Sequence, residues 1–151
     1  MRECEVGQFW KIYKSKEFKK ELKYLFKKIE AYSEIQKLKQ QHDQKVIALI
    51  LNRSSSFISK AYKLYIRFKK SQKKKLLNCD QKVSELLIRI PKYQRLYYIL
   101  EDSKLTVQDF LNLRRFWLLP LKGCGPKNFA FLAFCLEQQG LIIRKARWCR
   151  K

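Results

Sequence analysis

Leu121-Lys122-Gly123-Cys124-Gly125-Pro126-Lys127-Asn128 is the most informative segment of the sequence. Its two glycines can adopt positive φ or admit a close backbone approach, and Pro126 suits the first position of a helix. Apolar residues then repeat at helical spacing, and Gly140 followed by Leu141 is typical of a helix end. The free N–H groups of such a helix start, beside Lys127, can bind a phosphate. The sequence therefore predicts a phosphate-binding turn that enters a helix.

Positive charge dominates the composition. The chain has 151 residues, and 35 Lys and Arg stand against 13 Asp and Glu, which gives a net charge of +22. Such an excess favours a polyanion as partner over a merely solvated surface. Few Gly and Pro, with 46% hydrophobic residues, favour an all-α fold. The longest apolar run, 46–51, is far shorter than the roughly 20 residues that a membrane span needs, so no membrane partner is expected.

The first 78 residues are interpreted as a basic helical N-terminal region. Ser15 can cap a helix, and Ser54-Ser55-Ser56 offers caps for another helix that carries an aromatic stripe, for which core packing is favoured over base stacking. The run 46–51 is apolar on every side, which indicates a buried helix segment. Near the end of this region, five of seven residues are lysine, and they form the strongest non-specific phosphate patch in the chain: Lys69, Lys70, Lys73, Lys74 and Lys75.

The remaining chain is interpreted as a compact helical domain, 79–143, followed by a basic tail, 144–151. Thr106 and Asp109 resemble a capping box. Trp148 in the tail can either anchor it or stack on a base. Four further tail residues are predicted to bind nucleic acid through their charge: Arg144, Lys145, Arg147 and Arg150.

This domain carries a family resemblance. Leu105-Thr-Val-Gln-Asp-Phe-Leu-Asn-Leu113, Leu118-Leu119, the turn 121–127 and the closing 136–141 resemble the C-terminal domain of the bacterial RNA polymerase alpha subunit over about residues 83–143. The resemblance implies a compact helical domain related to helix-hairpin-helix modules, which binds DNA from the minor-groove side and contacts transcription factors. It places nucleic-acid binding on Arg95, Gly125, Lys127 and Asn128, and Gly123 belongs to the same turn.

The sequence also departs from this family. The family's asparagine beside the arginine falls on Tyr98, its serine after the loop lysine falls on Asn128, and its glutamate one turn later falls on Phe131. These changes speak against promoter binding and leave a turn that holds a phosphate backbone. Duplex RNA and duplex DNA are both suitable ligands for such a turn.

No pattern of catalytic or metal-binding residues occurs in the sequence. The five cysteines form no Cys-x-x-Cys, and the chain has one histidine, so we expect no metal, no cofactor, no small-molecule substrate and no enzymatic activity. Cys124 lies near a helix start, where a thiol pKa can fall, but a packed small residue is favoured. An odd number of cysteines without a leader favours a reducing compartment, such as an organelle matrix, a stroma or a bacterial-type cytoplasm.

Three functions fit these patterns. The first is a structural RNA-binding component of a ribosome or another large ribonucleoprotein, in contact with other subunits, because positive charge lies all along the chain. The alternative is a DNA-binding transcription or architectural factor that uses the polymerase-like domain. The third is a helical subunit whose main contacts are with protein.

Overall fold

The computed structural model describes residues 3–115, 121–144 and 147–150. It confirms an all-α fold, with a two-stranded sheet near the C-terminus. The α-helices are α1 (Glu3–Tyr13), α2 (Lys16–Glu30), α3 (Ser33–Lys39), α4 (Gln44–Leu51), α5 (Ser55–Lys73), α6 (Gln94–Ser103), α7 (Val107–Asn112) and α8 (Pro126–Gln138). Two 3₁₀ turns, Val83–Leu86 and Pro91–Tyr93, precede α6. Strands β1 (Leu141–Arg144) and β2 (Arg147–Arg150) follow α8.

Local capping residues set several helix starts, as the sequence predicts. The Ser15 hydroxyl accepts a hydrogen bond from the Phe18 N–H, and Ser54 caps α5 in the same way. Thr106 and Asp109 form a reciprocal capping box at the start of α7, with distances of 3.3 and 2.8 Å. Each of these side chains satisfies a backbone donor that the helix itself leaves free.

Helix α8 lies at the centre of the main core. Seven of its thirteen residues are buried, and they cover every side of the helix: Phe129, Ala130, Phe131, Leu132, Ala133, Cys135 and Leu136. Helix α1 packs against α8. The rings of Phe9 and Phe129 meet edge to face, with 5.2 Å between their centroids. The Tyr13 hydroxyl also donates a hydrogen bond to Glu137. One hydrophobic core therefore joins the predicted region 1–78 to the predicted domain 79–143.

The end of the chain is a β-hairpin, where the sequence suggested a basic tail. Strands β1 and β2 pair antiparallel, with Leu141 opposite Arg150 and Ile143 opposite Trp148. Trp148 is 1% exposed, and its ring contacts Phe110 edge to face at 5.4 Å. Alternate residues (Leu141, Ile143 and Trp148) face the core, while Arg144 and Arg147 lie on the opposite face of the hairpin.

The prediction for residues 46–51 is half right. They lie in a helix, α4, but only one side of that helix is covered. Ile47 is buried with Ile35, Ile58 and Ala61 in a small second core, whereas Leu49 is 82% exposed. Helix α4 packs mainly on α3 and α5, and its far side, with Leu49 and Ile50, is exposed.

The segment before α6 is not an α-helix, although its apolar residues repeat at helical spacing. Val83, Leu86, Leu87 and Ile90 are all buried, yet they belong to a short 3₁₀ turn and an extended stretch instead of an α-helix. Backbone hydrogen bonds to the residues before α7, such as Val83 N–H to Leu105 O at 2.9 Å, hold the turn in this form. Backbone hydrogen bonds to a distant segment therefore take the place of the i to i−4 hydrogen bonds of an α-helix.

Candidate nucleic-acid interface

The glycine turn enters α8 in the predicted form. Gly123 has a φ of +81°, a left-handed conformation that favours glycine, and Pro126 occupies the first turn of the helix. Gly125 is the N-cap in an extended conformation and makes no side-chain capping bond. The backbone N–H groups of Lys127 and Asn128, in the first turn, lack an i−4 partner within the helix. They carry the positive end of the helix dipole, which attracts anions.

Arg95 lies against this turn. A Cβ built on Gly123 would lie 3.4 Å from Arg95 Nη2 and 3.6 Å from Ile99 Cδ1. Arg95 projects from α6 and its side chain is exposed, so the guanidinium passes over the glycine and remains open to solvent. The structure thus brings together two residues, 28 positions apart, that are both predicted to bind nucleic acid.

Two further lysines meet one carboxylate at the same helix start. Glu21 of α2 forms an ion pair with Lys127 at 3.7 Å and another with Lys92. The contact with the Lys127 side chain, together with partial burial, lowers the pKa of Lys92 to about 8. One carboxylate cannot neutralise two ammonium groups, so the site keeps a net positive charge. We call Glu21, Lys92, Arg95, Gly123 and Lys127 the turn cluster.

Sequence analysis missed Lys92 and Glu21. Lys92 follows Pro91 and precedes Arg95 by three residues, a spacing that places both on one side of a helical turn and could have identified it. No local signal points to Glu21, because it reaches the cluster from α2, roughly seventy residues earlier in the chain.

Cys124 lies in the turn without any sign of reactivity. Its side chain is buried, and burial raises the pKa of its thiol to about 12. The thiol is therefore protonated near neutral pH, which agrees with the prediction of a packed small residue.

The lysine patch begins in the last turns of α5 and continues past it. Lys69 forms an ion pair with Glu30 at 2.7 Å, which raises its pKa, and the other four lysines are exposed. The backbone here is held in place, because Gln139 bonds to Lys74 O at 3.2 Å and to Leu76 N–H at 3.1 Å. The patch therefore consists of the end of α5 and a following segment that hydrogen bonds to Gln139 hold in place.

The hairpin arginines take separate positions. Arg144 and Arg147 are the last pair of β1 and the first of β2, opposite each other in the register, and both are exposed. Arg150 donates a hydrogen bond to the Cys79 sulfur at 3.4 Å. Of the two roles considered for Trp148, its burial fits anchoring. The buried ring offers no surface on which a base could stack. Lys145, Leu118 and Leu119 lie outside the described residues.

Phe131 and Tyr98 occupy two positions at which the sequence departs from the polymerase family. Phe131 is fully buried and its ring stacks on Tyr93 at 4.0 Å, so it belongs to the core. Tyr98 is 53% exposed on α6 and touches Tyr97 edge to face at 5.7 Å.

Comparison of the chain with protein-family models, with curated proteins and with solved structures finds no match. Across residues 3–115, 121–144 and 147–150, no three His, Cys, Asp or Glu side chains are grouped as a metal site would require. In the same part of the chain, no helix is both long enough and apolar enough to cross a bilayer.

Proposed function

We propose that this protein is a non-catalytic RNA-binding protein, a structural component of a ribosome or another large ribonucleoprotein, which holds the phosphate backbone. The observation that carries the proposal is the turn cluster, where Arg95 crosses Gly123 and two lysines share one carboxylate beside a helix start. A phosphate there would gain backbone donors, a guanidinium and the charge that Glu21 leaves unbalanced.

The overall charge supports an extended polyanion as the partner. The 13 acidic residues can neutralise at most 13 of the 35 Lys and Arg. The excess appears at several places, which include the turn cluster on α8, the lysine patch on α5 and the arginines of the hairpin. Charge spread in this way suits RNA segments that approach from several directions, as in a large ribonucleoprotein.

A second candidate is a DNA-binding transcription or architectural factor. The approach of Arg95 to the glycine turn favours it, since the family resemblance assigns DNA binding to these positions. The burial of Phe131 and the tyrosine at position 98 weigh against it, because each replaces a polar binding residue of that family.

The partners and the compartment are part of the proposal. The exposed apolar side of α4, with Leu49 at 82% and Ile50 at 52%, suits contact with another subunit of the assembly. All five cysteines are free thiols, which supports a reducing compartment such as an organelle matrix, a stroma or a bacterial-type cytoplasm.

The test measures the affinity of the full chain for an RNA duplex of about 16 base pairs and for a DNA duplex of the same sequence. We expect tighter binding of RNA, and a linear fall of log affinity with log salt between about 50 and 200 mM. The Arg95→Gln/Lys127→Gln double variant should bind at least about tenfold more weakly.

The control is Lys45→Gln/Lys60→Gln, which removes the same charge from exposed positions on α4 and α5. A turn-cluster variant that binds as well as this control would contradict the role of the turn. Tighter binding of DNA would favour the second candidate. Absence of the native protein from every ribosomal or other large RNA-containing fraction of a salt-resistant gradient would refute the first.

A further inference from the structure

A groove of about 640 Å³ lies between α5 and the segment that runs from the first 3₁₀ turn into α6. Its α5 wall carries three cations at steps of 4 and 3 residues (Lys63, Arg67 and Lys70), and Lys74 follows directly after the helix. Side chains at this spacing share one side of a helix, with neighbouring Cβ atoms about 5–6 Å apart. The result is a continuous positive edge, as a sugar-phosphate strand requires.

The other wall has a different chemistry. Arg89 and Tyr97 line it together, and the Arg89 guanidinium lies 3.8 Å from the centre of the Tyr97 ring. Two carboxylates, Glu85 and Glu101, belong to the same wall, and Glu101 accepts a hydrogen bond from Ser84. Stacked guanidinium and aromatic groups of this kind bind flat, unstacked bases.

The backbone of Arg89 is held in place, but one nitrogen of its side chain has no hydrogen-bond partner among the described residues. Its backbone N–H donates to Ser71 Oγ at 3.2 Å, and Ser71 in turn bonds to Phe68 O, so this wall is fastened to α5. The Arg89 Nε atom is buried and has no hydrogen-bond acceptor among the described residues. A buried donor without an acceptor is unfavourable, and an acceptor atom of a ligand would remove that cost.

The distribution of charge selects the ligand. An inorganic anion would use the α5 edge but would be repelled by Glu85 and Glu101. A nucleotide has an anionic phosphate and a neutral flat base. Carboxylates can accept hydrogen bonds from the N–H groups of such a base. Ile66 and Leu87 supply apolar surface for the base. The volume of the groove lies within the range of pockets that hold molecules of this size.

We propose that this groove binds one unpaired, unstacked nucleotide of a single-stranded RNA segment, with the phosphates on α5 and the base beside Arg89 and Tyr97. The inference rests on the proposed RNA-binding function and adds a second site to it. Arg95 and Tyr97 are two residues apart on α6 and so project about 200° apart. The turn cluster and the groove therefore lie on different sides of α6, and one RNA can meet both.

The test uses the full chain and two probes, a single-stranded oligoadenylate of about 12 nucleotides and an RNA duplex of about 16 base pairs. Tyr97→Leu and Arg89→Gln should each weaken binding of the single strand by about tenfold or more, because stacking is lost. Duplex affinity should change less than about twofold, since the duplex has no unstacked base to place in the groove.

Three controls separate the contributions. Tyr97→Phe keeps the aromatic face and should bind nearly as the natural chain does. Lys60→Gln removes the same charge as Arg89→Gln from an exposed position on α5 outside the groove lining. Tyr24→Leu removes an exposed tyrosine of α2 and should leave binding of both probes unchanged. Thermal unfolding of each variant shows whether it is folded, and the comparison uses those that are.

The outcomes distinguish the two proposals. Groove variants that bind the single strand as well as Lys60→Gln does, or that lose both probes equally, overturn the groove while the turn cluster stands. If the natural chain binds neither probe in a salt-dependent way, the proposed function itself fails.

Discussion

At the scale of single residues, Gly123 is required for its backbone conformation. Its positive φ lets the backbone turn into α8, and a residue with a side chain is strained there. The Arg95 guanidinium lies against this turn, with Nη2 at an ordinary contact distance of 3.4 Å from where a Cβ would lie. A residue other than glycine would therefore strain the turn on which Arg95 rests.

We expect Gly123→Ala to lower the free energy of unfolding by about 1–2 kcal/mol, because alanine is strained at this φ. It should also weaken binding of duplex RNA. Gly7→Ala is the matched control, since Gly7 lies within α1 with no atom within 4 Å of an added Cβ. That variant should gain about 0.5–1 kcal/mol. Urea unfolding of both proteins measures the difference, and equal shifts would contradict the prediction.

Lys92 gives the turn cluster a dependence on pH. Its pKa in the free protein is about 8, below the ordinary 10.5, because the Lys127 side chain lies beside it. A bound phosphate stabilises the ammonium form and raises this pKa, so binding between about pH 8 and 10 should take up a proton. Affinity for duplex RNA should fall as the pH rises through 8.

Calorimetric titrations in buffers of different ionisation enthalpy measure this uptake. Lys92→Arg should abolish it, since a guanidinium stays charged throughout the range. Equal proton uptake by the variant and the natural chain would show that another group is responsible.

At the scale of elements, the hairpin β1–β2 closes one side of the main core. Trp148 packs on Phe110 of α7 and, at 6.4 Å, on Phe129 of α8. Strand β2 thereby ties α7 to α8, the helix that follows the glycine turn. Arg144 and Arg147 lie on the opposite face of the hairpin from Trp148, and both are exposed.

Replacement of Trp148 by alanine should lower the free energy of unfolding by about 3–5 kcal/mol, since it opens a large cavity in the core. Arg147→Ala, at the exposed neighbouring position, should change it by less than about 0.5 kcal/mol. Denaturant unfolding followed by circular dichroism compares the two. A small effect at Trp148 would mean that the hairpin does not pack on α7 and α8.

At the scale of the whole molecule, α1 is part of the same core as α8. Phe9 is fully buried against Phe129, and Tyr13 bonds to Glu137 with a pKa raised by burial and by that carboxylate. The first residues of the chain thus support the helix that begins at the glycine turn. A fragment that starts near residue 79 would expose this apolar side of α8.

Because of this shared core, we expect one cooperative unfolding transition, in which tryptophan fluorescence and circular dichroism coincide. Phe9→Ala should lower the free energy of unfolding by about 3–5 kcal/mol without splitting that transition. Tyr24→Ala, at a residue that is 67% exposed, should leave it almost unchanged. Two separate transitions would indicate that the halves fold independently.

The amino-acid pattern alone predicts features that depend on near neighbours. These are the all-α class, the helix starts at Ser15 and Thr106, a helix start among the serines 54–56, and the charge that favours a polyanion. A capping bond involves a few consecutive residues, so the pattern is sufficient to predict it. The pattern leaves open which glycine of the turn has a positive φ, and the structure assigns it to Gly123.

Burial and clustering follow from the tertiary structure. Leu49 and Trp148 are both large and apolar, yet Leu49 is exposed and Trp148 is buried, because among the described residues only Trp148 is covered by a distant segment. The same holds for Glu21, which joins Lys92 and Lys127 from α2, and for the two walls of the groove. Burial and clustering depend on surfaces far apart in the chain, and the fold alone brings those surfaces into contact.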